Sequence, residues 1–498
     1  MDIMFKSTRG DKNYVTASQA IVQGIANDGG LFVPETIPTI DFPLEKITEM
    51  SYQELAYEVL KLILTDYTEE ELKYCINSAY DEKFDTKLIA PLVSAGNGNF
   101  LELFHGKTIA FKDMALSILP YLLKTAAKKN GVEEKIVILT ATSGDTGKAA
   151  LEGFADVEGT KIIVFYPEDG VSDVQKMQMV TQKGANTCVA AIKGNFDDAQ
   201  TGVKKIFTTP SVAEKLAENN MLFSSANSIN WGRLLPQIVY YISAYCDLVN
   251  DGKIELGDKI NVVVPTGNFG NILASYYASL MGLPINKFIC ASNSNNVLTD
   301  FIKTGVYDKN RNFYATISPS MDILVSSNLE RLLYKLSGDN DEVTRGWMNA
   351  LKSEGKYEVS DDVKAVINEK FYGGFCDDKN TEATIHEMFE QDKYLCDTHT
   401  AVAINVYKQY VEETGDKTPS VIASTASPYK FSKAVLEAVE PNATLPETEF
   451  DMVDELHKVS GAEVPAPLAN LKNKTARFSD VTEVNDMENY VLGALGID

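Results

Sequence analysis

Short apolar runs that do not alternate with polar residues, each followed by a stretch of helical periodicity, constrain this fold most. Lys135-Ile136-Val137-Ile138-Leu139 leads through Thr142-Ser143-Gly144-Asp145-Thr146-Gly147 into an amphipathic stretch from Lys148. Lys161 to Tyr166 is the next run, ended by Pro167. Asn261-Val262-Val263-Val264 leads into Pro265-Thr266-Gly267-Asn268-Phe269-Gly270-Asn271 and a helical Ile272 to Met281. Val421-Ile422-Ala423-Ser424 leads into Thr425-Ala426-Ser427-Pro428 and a helical Phe431 to Val439. Strands that are apolar throughout are buried on both faces. Their alternation with helices predicts an α/β fold of parallel sheets flanked by helices. In such folds ligands bind beyond the carboxyl ends of the strands, where three of these loops sit.

The chain has 498 residues, enough for two to four domains and for cores that need no disulfide or metal staple. Residues 1–100 read as mostly helical after a short irregular start. Ser51-Tyr52-Gln53-Glu54 fits a capping box, followed by apolar spacing through Leu55, Val59, Leu60 and Leu62. The net charge is −24 with no Lys/Arg run. Such a field repels nucleic-acid backbones and anionic membrane surfaces, so neither is expected as a partner. No apolar run approaches the ~18 residues of a membrane span, and the N-terminus lacks a secretory h-region. The six cysteines and four histidines are scattered. That predicts reduced thiols, a cytoplasmic location and no metal centre.

The glycine loop Gly267-Asn268-Phe269-Gly270-Asn271 lies between a strand and a helix. Backbone N–H groups and the helix dipole there suit a phosphate, though a plain βα turn explains the glycines too. Thr142 to Lys148 is not a P-loop, because only Asp145 and Thr146 separate Gly144 from Gly147 and Ala149 follows Lys148. It reads as a hydroxyl-rich loop for a carboxylate or small phosphate, or as simple helix capping. His386-Glu387 lacks the second histidine of a zincin helix. Lys112, set in Ala110-Phe111-Lys112-Asp113, is either a surface lysine or a desolvated amine with nucleophilic character.

Taken together, these motifs resemble those of the threonine synthases, pyridoxal-phosphate (PLP) enzymes of the tryptophan-synthase-β fold type (fold type II). The resemblance is carried nearly end to end. Its motifs are Ser7–Gly10, Asp28–Leu31, Leu101–Gly106, Ala110–Asp113, Thr142–Gly147, Asn227–Arg233, Pro265–Asn271, Ser318–Ile323, Asp397–Val402 and Ser424–Phe431. Lys107 stands where the family often has Pro, and Ser427 where it often has His.

The resemblance implies that Lys112 forms the Schiff base with PLP and that Gly267, Asn268, Phe269, Gly270 and Asn271 cradle its phosphate. Thr425 would bond the pyridine nitrogen. Its hydroxyl cannot hold the ring protonated as an aspartate would, which makes a milder electron sink. Ser143, Gly144, Asp145 and Thr146 would hold the substrate carboxylate. For the substrate phosphate the candidate is Arg233, with Asn227, Asn230 and Lys148 behind it; helix capping or carboxylate pairing is the other reading of Arg233.

The implied reaction converts O-phospho-L-homoserine and water to L-threonine and phosphate. Alternatives are a PLP-dependent serine/threonine dehydratase-like lyase or a non-catalytic PLP-fold binder. Both monomer and homodimer fit the sequence. The implied architecture has an N-terminal helical region at 1–100 and a large PLP domain from 101–134 and 227–498. A smaller α/β domain at 135–226 would carry the substrate loop and be free to close on ligand.

Overall fold

A computed structural model describes residues 2–40, 44–142, 144–169 and 171–497. The chain opens with β1 (Phe5–Ser7), which pairs antiparallel with β2 (Phe32–Pro34), Lys6 opposite Val33. Helices follow, among them Tyr52–Leu60, capped by Ser51 and Glu54 as the sequence predicts. Next come β3 (Leu92–Ala95) and β4 (Gly98–Glu102), a tight antiparallel hairpin. The alternating part of the chain contains β5 (Lys135–Ala141), β6 (Thr160–Pro167), β7 (Thr187–Lys193) and β8 (Met221–Ser224). It continues with β9 (Ile260–Pro265), β10 (Ile285–Ser292), the small pair β11 (Val306–Asp308) and β12 (Lys356–Glu358), and β13 (Phe371–Phe375). The last strands are β14 (Ser420–Ser424) and β15 (Asp480–Glu483).

Two larger sheets result. The first has six strands in the order β13–β10–β9–β14–β4–β3, parallel except for the β3–β4 hairpin. The second has five parallel strands in the order β15–β7–β6–β5–β8. Every residue of β9 and β14 is buried, as their unbroken apolar character requires. Helices cover the faces; Pro236–Asn250 buries most of its residues against the first sheet's side of the core.

Two boundaries differ from the sequence expectation. The first sheet begins with the hairpin at Leu92, inside the stretch read as helical. The second sheet is completed from outside 135–226: β15 pairs in parallel with β7, Asp480 opposite Ala190. The reason is legible afterwards. Asp480-Val481-Thr482-Glu483 is a largely exposed edge strand with no apolar run to announce it. It is held by the helix Met487–Leu495, whose Met487 and Val491 enter the core with Ala199 and Ile206.

The N-terminal strand is anchored through one ring. Phe5 is fully buried and meets Trp231 edge-on at 5.3 Å between centroids, and Trp231 meets Tyr277 at the same distance. Phe5→Ala is expected to remove about 3–5 kcal/mol of stability, read by equilibrium urea unfolding.

Candidate active site

The site is assembled by neighbouring strand ends. In the first sheet β14 lies between β9 and β4, with Ile422 opposite both Val263 and Phe100. The three loops leaving these strands therefore emerge side by side. Backbone bonds join two of them: Leu103 N–H donates to Ser424 O (2.9 Å), Phe111 N–H to Thr425 O (2.8 Å) and Ser427 N–H to Ile109 O (3.0 Å). Lys112 and Thr425 are thus held on adjoining segments before any side-chain contact is made.

The glycine loop leaves β9. A Cβ on Gly267 would lie 2.6 Å from the Ser320 carbonyl oxygen, so only glycine fits. Phe269 is left-handed, at φ 63° and ψ 2°, a conformation that costs a non-glycine residue roughly 1–2 kcal/mol. The helix Gly270–Leu280 then starts with no side-chain cap, leaving its first N–H groups for an outside acceptor. Asn271 accepts from the Tyr241 hydroxyl through Oδ1, while its buried Nδ2 has no partner among the described residues. An uncapped helix start, an orphaned amide and a Cβ-intolerant glycine together fit a phosphate.

Lys112 is buried at the start of the helix Asp113–Leu116. Its Nζ lies 3.4 Å from Ser320 Oγ, 3.6 Å from Asp145 Oδ2 and 4.9 Å from the Phe111 ring centroid. Burial lowers its pKa; Asp145 opposes the shift, while Lys430 and Arg233 add to it. The net result is an amine that gives up its proton more readily than a solvated lysine.

Asp145 opens the helix Asp145–Phe154 of the second sheet's unit and reaches across to the lysines. Its Oδ1 lies 3.1 Å from Lys430 Nζ and accepts from Gln175 Nε2 at 2.9 Å. Burial alone would raise its pKa, but Lys430 and then Lys112 outweigh that, and the carboxyl is held well below the usual range. Lys430 is itself fully buried and donates to Thr108 O at 2.7 Å. His399 Nε2 accepts from the Ser320 N–H at 3.1 Å, and its Nδ1 meets Asp397 Oδ2 at 2.7 Å. That network fixes Ser320 beside Lys112.

Arg233 is buried with no ion-pair partner among the described residues. Nη1 donates to Ala226 O at 2.9 Å, Nε has no partner, and burial pulls its pKa down to about 10. A buried guanidinium with neither a counter-charge nor a partner on its Nε is suited to an anion. The other nominees sit differently. Asn230 spends its amide on Gly232 N (2.9 Å), Ile21 O (3.0 Å) and Ser225 O (2.9 Å), which makes it a structural clamp. Lys148 is matched by Glu152 at 2.9 Å and by Gln182. Asn227 is exposed and bonds Ser228. Gly144 donates to Thr142 Oγ1 at 3.0 Å and packs against Gln175, and Thr146 is half-buried beside it. Ser143 lies outside the described residues.

Sequence reasoning passed over Lys430, Ser320, His399 and Gln175. Three of these stand inside quoted motifs, but nothing local shows that they converge on Lys112. Among the described residues no cluster of three or more His, Cys, Asp and Glu could hold a metal, and no helix is long and apolar enough to cross a membrane.

Residues 4–80 match the family model for the threonine synthase N terminus and 400–491 that for the threonine synthase C-terminal region. Between them, residues 100–355, more than half the chain, match the model for pyridoxal-phosphate-dependent enzymes. The chain belongs to the threonine synthase family of PLP-dependent enzymes. The Saccharomyces cerevisiae threonine synthase is 35% identical over 489 residues, covering 92% of this chain and 93% of that protein. The crystal structure of PLP-bound threonine synthase from Brucella melitensis is 34% identical, with a TM-score of 0.87 and 99% of both chains covered. Human threonine synthase-like 1 is 40% identical over 440 residues, 85% of this chain; the chain spans only 58% of that protein's length. The threonine synthase family therefore sets both the fold type, parallel sheets flanked by helices, and the cofactor class.

Asp145→Asn should cost about 3–5 kcal/mol at neutral pH, because Lys430 and Lys112 lose their shared counter-charge. The folded-state pKa of Asp145 is depressed, so its contribution is complete above the unfolded value near ~3.9 and fades as pH falls below it. Urea unfolding at pH 7 and pH 3 is expected to show the gap between the two proteins narrowing at the lower pH.

Proposed function

We propose that this chain is a threonine synthase that converts O-phospho-L-homoserine and water to L-threonine and phosphate. The observation that carries the reading is Arg233, a buried guanidinium that has no ion pair among the described residues and whose Nε has no partner. It is a second anion-seeking feature in addition to the glycine loop. One cofactor phosphate and one substrate phosphate account for both.

On this reading the N–H groups of 268–271 hold the PLP phosphate, Lys112 offers its amine to the cofactor aldehyde, and the Thr425 hydroxyl serves the ring nitrogen. Bound PLP supplies an electron sink that acidifies the Cα and Cβ protons of the amino acid joined to it. The chain's own residues do the rest. Lys112, with its lowered proton affinity, removes the proton at Cα and returns it there. Arg233 orients the γ-phosphate and stabilises its charge as the Cγ–O bond breaks. A Cβ proton leaves as phosphate departs with the Cγ–O electron pair, a proton is delivered to Cγ, and water then forms the new C–O bond at Cβ and gives up its second proton. The backbone N–H groups of Asp145 and Thr146, with Ser143, receive the substrate carboxylate, while the Gly144 N–H stays on Thr142 Oγ1. Asp145 turns its own carboxylate toward Lys430 and Lys112, so it does not oppose that anion. Burial of all four charged side chains keeps solvent from the reacting carbon atoms. We place the protein in the cytoplasm, acting on this small molecule alone.

Incubation with phosphohomoserine should release threonine and phosphate in equal amounts. Failure to release phosphate, together with 2-oxo acid formation from serine or threonine, would instead establish the dehydratase-like reaction. Lys112→Ala should abolish the visible absorbance of protein-bound PLP and reduce turnover by about 10³-fold or more. Arg233→Ala should raise KM for phosphohomoserine by about 10- to 100-fold, the loss of one ionic hydrogen-bonding partner, and leave the PLP absorbance intact. Unchanged steady-state kinetics would remove Arg233 from the site.

A further inference from the structure

The glycine loop is held from behind by a segment with no assigned role. Ser326 Oγ donates to Gly267 O at 2.6 Å. Asn328 donates twice to Asn268 O, from its backbone N–H at 3.0 Å and from Nδ2 at 3.0 Å. A planar trans peptide points its N–H opposite its C=O. Pinning these two carbonyls toward 326–328 therefore turns the N–H groups of Asn268 and Phe269 the other way. Among the described residues neither N–H donates to a protein group.

Asn328 is oriented in turn. Arg331 Nη1 donates to Asn328 Oδ1 at 2.7 Å. A guanidinium offers no acceptor, so Asn328 must present its oxygen there, which commits Nδ2 to the Asn268 carbonyl. Arg331 is fully buried and places two further donors on neutral oxygens, Phe32 O at 3.0 Å and Ile229 O at 2.6 Å. The neighbouring Glu330 is taken by Arg9 at 2.7 Å and by Thr8 at 2.6 Å. The positive charge of Arg331 is thus not cancelled by a direct ion pair, and it points through Asn328 at the loop.

We infer that Arg331 is a positioning residue for phosphate recognition, acting through Asn328, with Ser326 pinning the adjacent peptide. Acting through Asn328, it turns backbone N–H groups of the loop toward the side the phosphate would take. The inference rests on the PLP reading above and predicts an effect confined to the phosphate end of the ligand.

The test is titration of the full chain, freed of cofactor, with PLP and separately with pyridoxal, which lacks the phosphate, followed by visible absorbance. Asn328→Ala and Arg331→Lys should each weaken PLP about tenfold or more and leave pyridoxal affinity within about twofold. Ser326→Ala should act in the same direction with a smaller effect. PLP affinity within about twofold of wild type would overturn the proposal, and so would PLP and pyridoxal affinities falling together, since a merely structural residue weakens both. If Arg331→Lys does not fold, Asn328→Ala decides alone. A wild-type chain that binds pyridoxal as tightly as PLP would sink the phosphate cradle itself, an outcome distinct from loss limited to the variants.

Discussion

The parallel ladder β9–β14–β4 is the constraint on which the rest of this protein depends. Ile422 stands opposite Val263 on one side and Phe100 on the other. Adjacent strands lie about 4.8 Å apart, so residues 112, 267 and 425 are delivered to one rim although hundreds of positions separate them in the chain. A parallel ladder sends its carboxyl ends the same way, and each strand must return through a helix on the opposite course. Chemistry and packing are thereby separated: loops gather at one edge, and helices fill the faces.

What the rim then contains is an electrostatic arrangement that no single segment could stabilise. Lys112 and Lys430 come from the first sheet's unit, and Asp145 from the second. Each would be costly to bury alone; together with Gln175, Ser320 and the Thr108 carbonyl they satisfy one another. Arg233 adds a further buried charge with no ion pair among the described residues. The residues that bridge the two units are thus the ones gathered around Lys112.

Much of this was legible in the sequence, and the rest was hidden for identifiable reasons. Unbroken apolar runs marked β5, β6, β9 and β14 because a strand buried on both faces has no polar side to show. The glycine loop and Lys112 stood out by residue type and by the resemblance that the family match later bore out. β15 was invisible because an exposed edge strand carries little hydrophobic pattern. Lys430, Ser320 and His399 lay inside recognised motifs without a role, since their significance is their distance from residues far off in the chain. Asn230 and Lys148 were reasonable nominees by chemistry, yet the fold engages Asn230 with three local partners and pairs Lys148 with Glu152 and Gln182. Arg331 drew no notice because an arginine in a helical stretch looks like any other until its three neutral acceptors are seen.

The amino-acid sequence by itself determined which segments become the buried parallel strands and the helices that follow them, and which side chains carry reactive groups. Those properties depend on local periodicity, backbone freedom and chemical type. Only the tertiary structure decided which charges meet, which remain unmatched and which carbonyls are pinned from behind. These are through-space quantities of a few ångströms between residues up to hundreds of positions apart, and they come into being only when the two sheets and the N-terminal region close around the rim.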